Sequence, residues 1–291
     1  MEFYLSILTF AFISIISVVG VYVLTGLTGM FSLGQGAFMA IGAYVSASLV
    51  VKAGLPFGIA AILAIAVSVL VGFIVGLPII RLRRDYISLV TLGFGEAITA
   101  LLNQMVSITG GANGFSGIPK KTTFLLTLIS IIVCMAMVAY FKKSKFGRQC
   151  IALRSDELAA KAMGINVPRI KMIVFLFSVG LTAYAGVLYA FYTTYVEPGL
   201  FGWKKSAEWV IMVFFGGVNS LTGSVFSTLI LTVLPETLRF ASQYRMVFYA
   251  ILVLLIINYK PAGLFGEWEL SYQNIKKLFT GKRREEKRNV T

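Results

Sequence analysis

The feature that most constrains this chain is a series of apolar runs, each about 20 residues long, which recurs along the sequence. Of its 291 residues 58% are hydrophobic and only 13% are charged, whereas a soluble domain carries roughly 25% charged residues. Apolar runs of this length cross a lipid bilayer as helices, because a helix satisfies its own backbone hydrogen bonds. The sequence therefore predicts an all-α, polytopic membrane protein.

Six runs are well delimited in the first two thirds of the chain. They lie at about 4–24, 34–51, 56–80, 86–106, 123–141 and 172–195. Beyond residue 206 the pattern is less regular, with short apolar pieces at 208–218, 224–238 and 247–259 and a Gly-rich turn at 216–223. We predict about nine transmembrane helices, with eight or ten as alternatives, in one membrane domain over 1–270.

The basic residues predict the orientation of these helices. Lys and Arg cluster at 81–85, at 142–171 and in the tail at 271–291, and cytoplasmic loops are enriched in these residues. This places the N-terminus outside and the C-terminus in the cytoplasm, and we expect the basic tail to be disordered. The net charge of +14 is thus a topology signal, not a sign of nucleic-acid binding.

The composition excludes several kinds of chemistry. The sequence has no histidine, which removes His-based acid–base catalysis and His metal sites. It also has no Walker-type nucleotide motif and no dinucleotide fingerprint, so we expect no cofactor and no metal in this chain. Cys134 lies in an apolar run and Cys150 in a basic loop, so both are predicted to be free thiols.

A Gly-rich stretch at 25–44 predicts a break before the second helix, with Ser32 or Gly34 near the start of that helix. Non-helical backbone at membrane depth is tolerated where protein buries it or where it lines a wet cavity, whereas small residues also serve close helix packing. Both interpretations stay open.

Acidic residues at membrane depth are further candidates, because an intramembrane carboxylate commonly serves a pathway. The predicted pathway residues are Ser32, Gly34, Gln35, Gly36, Glu96 and Asn103.

Glu96 lies in the middle of its run, and a structural role and a pathway role are equally open for it. Glu208 and Glu236 lie near the ends of their runs, which favours an interfacial position for both.

The basic loop at 146–171 contains signals for a short helix. Asp156 is a good N-cap, Gly164 is a natural stop, and Asn166 with Pro168 can open the next helix. A short helix with an apolar face can lie in a groove on a soluble partner, although a solvated connector is the alternative.

Five blocks of the sequence resemble, in order, the LivM-type permease subunits of branched-chain amino acid ABC importers. They are GLTGMFSLGQGAFMAIGAY at 26–44, RLRRDYISLVTLGFGEAI at 81–98, SITGGANGFSGIP at 107–119, FGRQCIALRSDELAAKAMGINVPRIK at 146–171 and KPAGLFG at 260–266. The resemblance covers most of the chain. It implies a transport subunit of the bacterial cytoplasmic membrane, surrounded by lipid, that is not itself an enzyme.

The resemblance also implies partners and a coupling loop. The expected partners are a second, LivH-type permease, two ATP-binding subunits that hold ATP and Mg, and an extracytoplasmic solute-binding protein. The importer pattern Glu-Ala-Ala-x-x-x-Gly keeps its spacing at Ala159, Ala160 and Gly164. Leu158 stands at the Glu position, Glu157 lies one residue early, and the later Ile-x-Leu-Pro portion is missing. The predicted ATPase-contacting residues are Glu157, Leu158, Ala159, Ala160, Met163 and Gly164.

Alternative functions remain open from the sequence. Related ABC permeases transport ureas, short amides, nucleosides or sugars. An ion-coupled secondary transporter would use Glu96 and the broken helix near Gly34. An intramembrane enzyme is disfavoured, because there is no histidine and no pair of carboxylates in the middle of a run.

Overall fold

The computed structural model describes residues 2–237, 250–251, 253–254, 258–260, 263–264 and 266. Within them the chain is mostly helical. The helices are α1 (Glu2–Thr28), α2 (Gln35–Val51), α3 (Phe57–Ile79), α4 (Arg84–Gln104), α5 (Val106–Thr109), α6 (Phe124–Lys143), α7 (Lys145–Ser155), α8 (Glu157–Ala162), α9 (Val167–Thr193), α10 (Trp203–Gly216) and α11 (Leu221–Thr237). Short 3₁₀ turns occur at Gly111–Asn113 and Pro198–Phe201, and β1 (Phe115–Ser116) pairs antiparallel with β2 (Tyr195–Val196).

Five helices of the described residues are long and apolar enough to cross a membrane, namely α1, α3, α4, α6 and α9. A sixth crossing is possible if α10 and α11, which are bent by 120° relative to each other, form one broken span. α2 is apolar but shorter, with 17 residues, because the chain before it is not helical. The fold is therefore that of a polytopic helical membrane protein. The count of nine helices and the orientation of the termini remain predictions.

The spanning helices divide into an internal pair and a peripheral set. Of the most apolar stretch of each helix, 72% of α1 and 67% of α9 is buried, against 28% of α3, 17% of α4 and 28% of α6. α9 packs against α1, α2 and α3, so it forms the centre of the bundle. The peripheral helices carry large apolar side chains on their outer faces, as expected for surfaces that meet lipid tails or another apolar protein.

The two ends of the bundle are built differently. At one end, hereafter the basic end, the connection at 80–83 lies against α7, α8 and the start of α9. At the opposite end β1 and β2 join the segment after α5 to the segment after α9, and Lys52 Nζ donates to the carbonyl of Ser107 at 2.8 Å. Segments that the charge pattern assigns to the same side of a membrane are thus neighbours in space.

Several elements differ from the sequence predictions. The loop at 142–171 contains a second helix, α7, in addition to the expected short helix α8. Its signal is a buried stripe at Gly147, Cys150 and Leu153 that follows the N-cap Ser144. The β1–β2 pair was also not predicted, because two-residue strands leave no periodic pattern. The expected turn within 216–223 is confirmed at 217–220. The apolar piece at 247–259 lies mostly outside the described residues, and the tail at 271–291 lies entirely outside them.

Candidate translocation pathway and coupling loop

The break before α2 is buried inside the bundle. α1 ends at Thr28, Gly29 adopts a left-handed φ of 69°, and α2 begins only at Gln35. Ser32 is 1% exposed and Gln35 is fully buried. The N–H of Leu33 donates to Thr91 Oγ1 of α4 at 3.1 Å, which gives this non-helical backbone a partner. The predicted break is therefore confirmed, and protein covers it as the membrane environment requires.

Gly34 and Gly36 hold the backbone of the break close to two other segments. A Cβ atom at Gly34 would lie 2.3 Å from the carbonyl oxygen of Thr91, and one at Gly36 would lie 2.4 Å from the carbonyl oxygen of Phe201. The N–H of Gly36 also donates to Ser206 Oγ at 2.8 Å. Because real side chains do not approach a backbone oxygen this closely, only glycine fits at either position. The small residues thus serve close packing, and the packing is around the break itself.

The start of α2 lies in the middle of the bundle. Gln35 Oε1 accepts from Thr182 Oγ1 at 3.0 Å, and Thr182 lies halfway along α9. The side-chain amide nitrogen of Gln35 is buried and has no hydrogen-bond partner among the described residues. A helix that begins in the membrane interior directs its positive end and its free N–H groups there, as substrate sites in transporters commonly do.

Glu96 lies on the exposed side of α4 and meets the start of another helix. Its Oε1 accepts from the N–H of Trp203, the first residue of α10, at 3.4 Å. The N-terminus of a helix attracts a carboxylate, because its first N–H groups are unpaired and its dipole is positive there. Gly202, Trp203 and Ser206 were not identified from the sequence, which gives no signal that the start of α10 returns to α2 and α4.

The predicted pathway residues therefore fall into three places. Ser32, Gly34, Gln35 and Gly36 lie together at the break, in the interior. Glu96 lies on α4 beside the start of α10. Asn103 is exposed, seven residues or about 10 Å farther along α4, and the structure does not bring it to the break.

The other two candidate carboxylates are not part of this group. Glu208 pairs with Lys205 at 2.8 Å, and both side chains are more than a third exposed. The interfacial position favoured for Glu208 stays a prediction. The side chain of Glu236 lies outside the described residues.

The short helix α8 has the predicted start and stop. Asp156 Oδ1 accepts from the N–H groups of Leu158 and Ala159, at 2.8 and 3.0 Å. Gly164 has a φ of 80°, its N–H donates to Lys161, and the next N–H, of Ile165, donates to Ala160. This pair of bonds is a Schellman motif, which ends a helix by satisfying its last carbonyl groups.

The residues that follow α8 also match the prediction. Asn166 Oδ1 accepts from the N–H of Arg169 and caps α9, with Pro168 in its first turn.

The surface of α8 is apolar in places. Leu158 is 79% exposed and Met163 is 83% exposed, and Ala159 is also exposed between them. Ala160 is only 4% exposed, so it faces the body of the chain and does not offer the surface expected of both alanines. The helical period places Ala160 on the opposite side of α8 from Leu158, two residues earlier, and Met163 follows the last helical residue, Ala162.

A groove of about 960 Å³ runs beside α8 at the basic end. One wall is the connection between α3 and α4, and the other is α8 with the start of α9. Its lining includes Arg81, Arg83, Asp156, Lys161 and Pro168.

One buried lysine and two half-buried arginines fix α7 and α8 to the spanning helices. Lys171 of α9 is 2% exposed, pairs with Glu157 Oε1 at 2.7 Å and donates to the carbonyl of Leu82 at 3.4 Å. Arg84, the first residue of α4, donates to the last carbonyl groups of α7, those of Leu153 and Arg154. Arg154 in turn donates to the carbonyl of Gly26, in the last turn of α1, at 2.6 Å. The bonds of Arg84 and Arg154 are favourable because the C-terminal carbonyls of a helix lack partners and attract positive charge.

Comparison with known protein families identifies the chain. Residues 3–257 match the family described as branched-chain amino acid transport system / permease component. The chain belongs to this permease family. It is therefore a multi-pass membrane protein and a transport subunit, and the sequence-based identification is confirmed.

Individual relatives agree with this family. The chain is 34% identical to the high-affinity branched-chain amino acid transport system permease protein LivM of Salmonella typhimurium, over 89% of this chain and 69% of that protein. It is 32% identical to LivM of Escherichia coli over the same shares. It is 26% identical to LivH of Salmonella typhimurium, over 64% of this chain and 61% of that protein. No solved structure matches the chain.

Proposed function

We propose that this permease is the LivM-type subunit of an ABC importer for leucine, isoleucine and valine. The relatives named above are high-affinity branched-chain amino acid permeases, and the identity to LivM extends over 89% of the chain. The same relatives include LivH, so we infer that a second, LivH-type permease pairs with this chain.

The observation that carries the coupling part of the proposal is the surface of α8. A six-residue helix with a side-chain cap and a Schellman stop presents Leu158 and Met163 to solvent at 79% and 83% exposure. Moving such apolar side chains from water into a groove of a soluble partner is favourable in free energy. We infer that this partner is an ATP-binding subunit, which supplies the nucleotide site and holds the Mg.

The pathway part of the proposal rests on the meeting of α2, α4 and α10. Two helices begin here, α2 at Gln35 and α10 at Trp203, and Glu96 faces the second of them. An amino acid zwitterion offers a carboxylate for helix N-termini and an ammonium group for a side-chain carboxylate. We propose that Glu96 and the break line the route, with Glu96 on the side that faces the second permease.

The orientation follows the positive-inside rule. We propose that the basic end, with α7 and α8, lies in the cytoplasm, and that the end with β1 and β2 meets the solute-binding protein. A cysteine introduced at Ser144 should react only with reagents that reach the cytoplasm, and one at Asn113 should react from outside. Outside labelling at Ser144 would invert the orientation.

The experiment that tests the function is uptake by proteoliposomes that hold the full complex. We expect uptake of leucine, isoleucine and valine only with ATP inside the vesicle and solute-binding protein outside. Urea, short amides, nucleosides and sugars serve as competitors, and inhibition by one of these and not by leucine would reassign the substrate. Uptake driven by an ion gradient without ATP would favour a secondary transporter.

A further inference from the structure

We propose that α4 transmits movement of α8 to the break before α2, and that Arg84 is the residue that positions α4 for this task. The proposal rests on the proposed function, because it assumes that an ATP-binding subunit moves α8. It adds a route inside this chain, between the surface that receives the movement and the segment that lines the pathway.

The first step of the route is the attachment of α8 to the connection that precedes α4. Lys171 contacts Glu157, the first residue of α8, at 2.7 Å and the carbonyl of Leu82 at 3.4 Å. With Lys171 almost fully buried, the loss of either contact would leave charge poorly compensated inside the protein. A displacement of α8 therefore acts on the chain two residues before α4 begins.

The second step is the attachment of α4 to α7. Arg84 is the first residue of α4, and its guanidinium group donates to the carbonyl groups of Leu153 and Arg154. Two bonds from one planar group restrict rotation as well as distance. α7 leads directly into α8 through Asp156, so α7, α8 and the start of α4 are held as one unit.

The third step is the contact between α4 and the break. Thr91 lies two turns after Arg84, and its hydroxyl accepts the N–H of Leu33 at 3.1 Å. Its carbonyl oxygen lies where a side chain at Gly34 would have to be. Glu96, farther along the same helix, accepts the N–H of Trp203. A shift or tilt of α4 therefore changes the break and the start of α10 together.

The competing route runs through α9, which also joins Lys171 to the break, by way of Thr182 and Gln35. Burial separates the two routes. Within this chain 67% of the most apolar stretch of α9 is buried, so a shift would disturb the centre of the bundle, whereas in α4 the share is 17% and the rest is left to lipid or to the second permease. A helix with little buried surface moves at a lower cost in packing free energy.

The test uses the full complex in proteoliposomes, with ATP hydrolysis and leucine uptake measured on the same samples. Thr91→Val keeps the shape of the side chain and removes the acceptor for Leu33, and Thr182→Val is the matched change on the α9 route. Arg84→Gln removes the guanidinium group, Arg84→Lys keeps the charge without the two-pronged geometry, and Arg81→Gln, an exposed arginine of the same connection, is the control. The amount of ATP-binding subunit that co-purifies is recorded for every variant.

We expect Arg84→Gln and Thr91→Val to keep the ATP-binding subunit and ATP hydrolysis while lowering uptake per ATP by about fivefold or more, the scale of ordinary coupling between sites. Arg84→Lys should fall between Arg84→Gln and wild type. Arg81→Gln should keep the wild-type ratio. Thr182→Val removes the donor to Gln35, so it should lower uptake and ATP hydrolysis together and also keep the ratio. If Thr182→Val uncoupled the complex and Thr91→Val did not, α9 would be the route and the proposal would be wrong.

Two other outcomes would also overturn the assignment. Loss of the ATP-binding subunit from Arg84→Gln, with a normal uptake ratio in Thr91→Val, would make Arg84 a docking residue only. A normal ratio in both variants would leave α4 without a role in coupling. Failure of the wild-type complex to import with ATP would instead reject the proposed function, so the two failures are distinguishable.

Discussion

The short helix α8 and the break before α2 are held in opposite ways. In α8 the side chain of Asp156 binds N–H groups two and three residues away, and the helix stops through bonds within its own last turn. At the break the N–H of Gly36 binds Ser206, which lies 170 residues away in the sequence. One region is shaped by its neighbours in sequence and the other by segments that only the complete fold brings together. Loss of one of these local bonds should therefore loosen α8 itself, whereas a side chain added at the break should displace several helices.

The largest effect is expected at Gly36. Gly36→Leu should abolish uptake, and Gly36→Ala should reduce it more than about tenfold, since even a Cβ atom would lie 2.4 Å from the carbonyl oxygen of Phe201 and overpacking costs about 1–3 kcal/mol. Uptake is measured relative to the amount of permease in the membrane. Gly93→Ala is the matched control, because a Cβ atom there would meet no atom within 4 Å. Normal uptake by Gly36→Ala would show that the break tolerates movement and is not a tight contact.

A smaller effect is expected at the ion pair that fixes α8. Glu157→Gln should destabilise the region around α8 by about 2 kcal/mol, because the buried ammonium group of Lys171 loses its charged partner. Lys171→Met should cost less, since Glu157 is 37% exposed and water can solvate its carboxylate. Limited proteolysis of the loop in detergent measures the two variants side by side. Equal protease sensitivity would mean that the desolvation of Lys171 does not control this region.

A local effect of about 1 kcal/mol is expected from the cap of α8. Asp156→Ala should increase hydrogen exchange at the amides of Leu158 and Ala159 by about fivefold, because both lose their acceptor. Asp156→Asn keeps an oxygen at the same place and should exchange nearly as slowly as wild type. Faster exchange that spread into α2 or α10 would contradict the local character of this region.

The smallest effect concerns Cys150, on the buried side of α7. Burial raises the pKa of its thiol from 9.0 to about 12, so almost no thiolate, the reactive form, exists near pH 8. Maleimide should therefore leave Cys150 unlabelled in the folded permease up to about pH 9 and label it after denaturation. A cysteine at Met163, an exposed position, should react readily. Because the native state favours the neutral thiol, this burial stabilises the fold less as pH rises from 9 toward 12. Rapid labelling at pH 7 would mean that α7 separates from the bundle.

The features that could be predicted from the sequence are those held by bonds between residues close in sequence. The caps at Asp156, Gly164 and Asn166 were predictable, because each depends on hydrogen bonds between residues a few positions apart. The existence of the break was also predictable, since glycines interrupt the apolar run. Its partners Thr91 and Phe201 were not, because no local pattern reports which distant backbone will approach.

Dependence on distant segments also explains what the sequence did not predict at the basic end. The exposure of Leu158 and Met163 agrees with the expected apolar face of α8, but the burial of Ala160 depends on how α8 lies against the rest of the chain. The roles of Arg84 and Arg154 were hidden as well, because the sequence presents both simply as positive charges that set topology. Their bonds to the carbonyl ends of α7 and α1 exist only in the folded protein.

The short pairing of β1 with β2 sets an order for the biogenesis of this protein. Tyr195, in β2, donates to the carbonyl of Asn113, which is 82 residues earlier in the chain. The ribosome must therefore synthesise α6, α7, α8 and α9 before this side of the protein can close. Closing such a long loop is entropically costly, so it follows the packing of α9 at the centre of the bundle. The surface we assign to the solute-binding protein is thus finished late, and a nascent chain that has not yet packed α9 presents no complete surface for that partner.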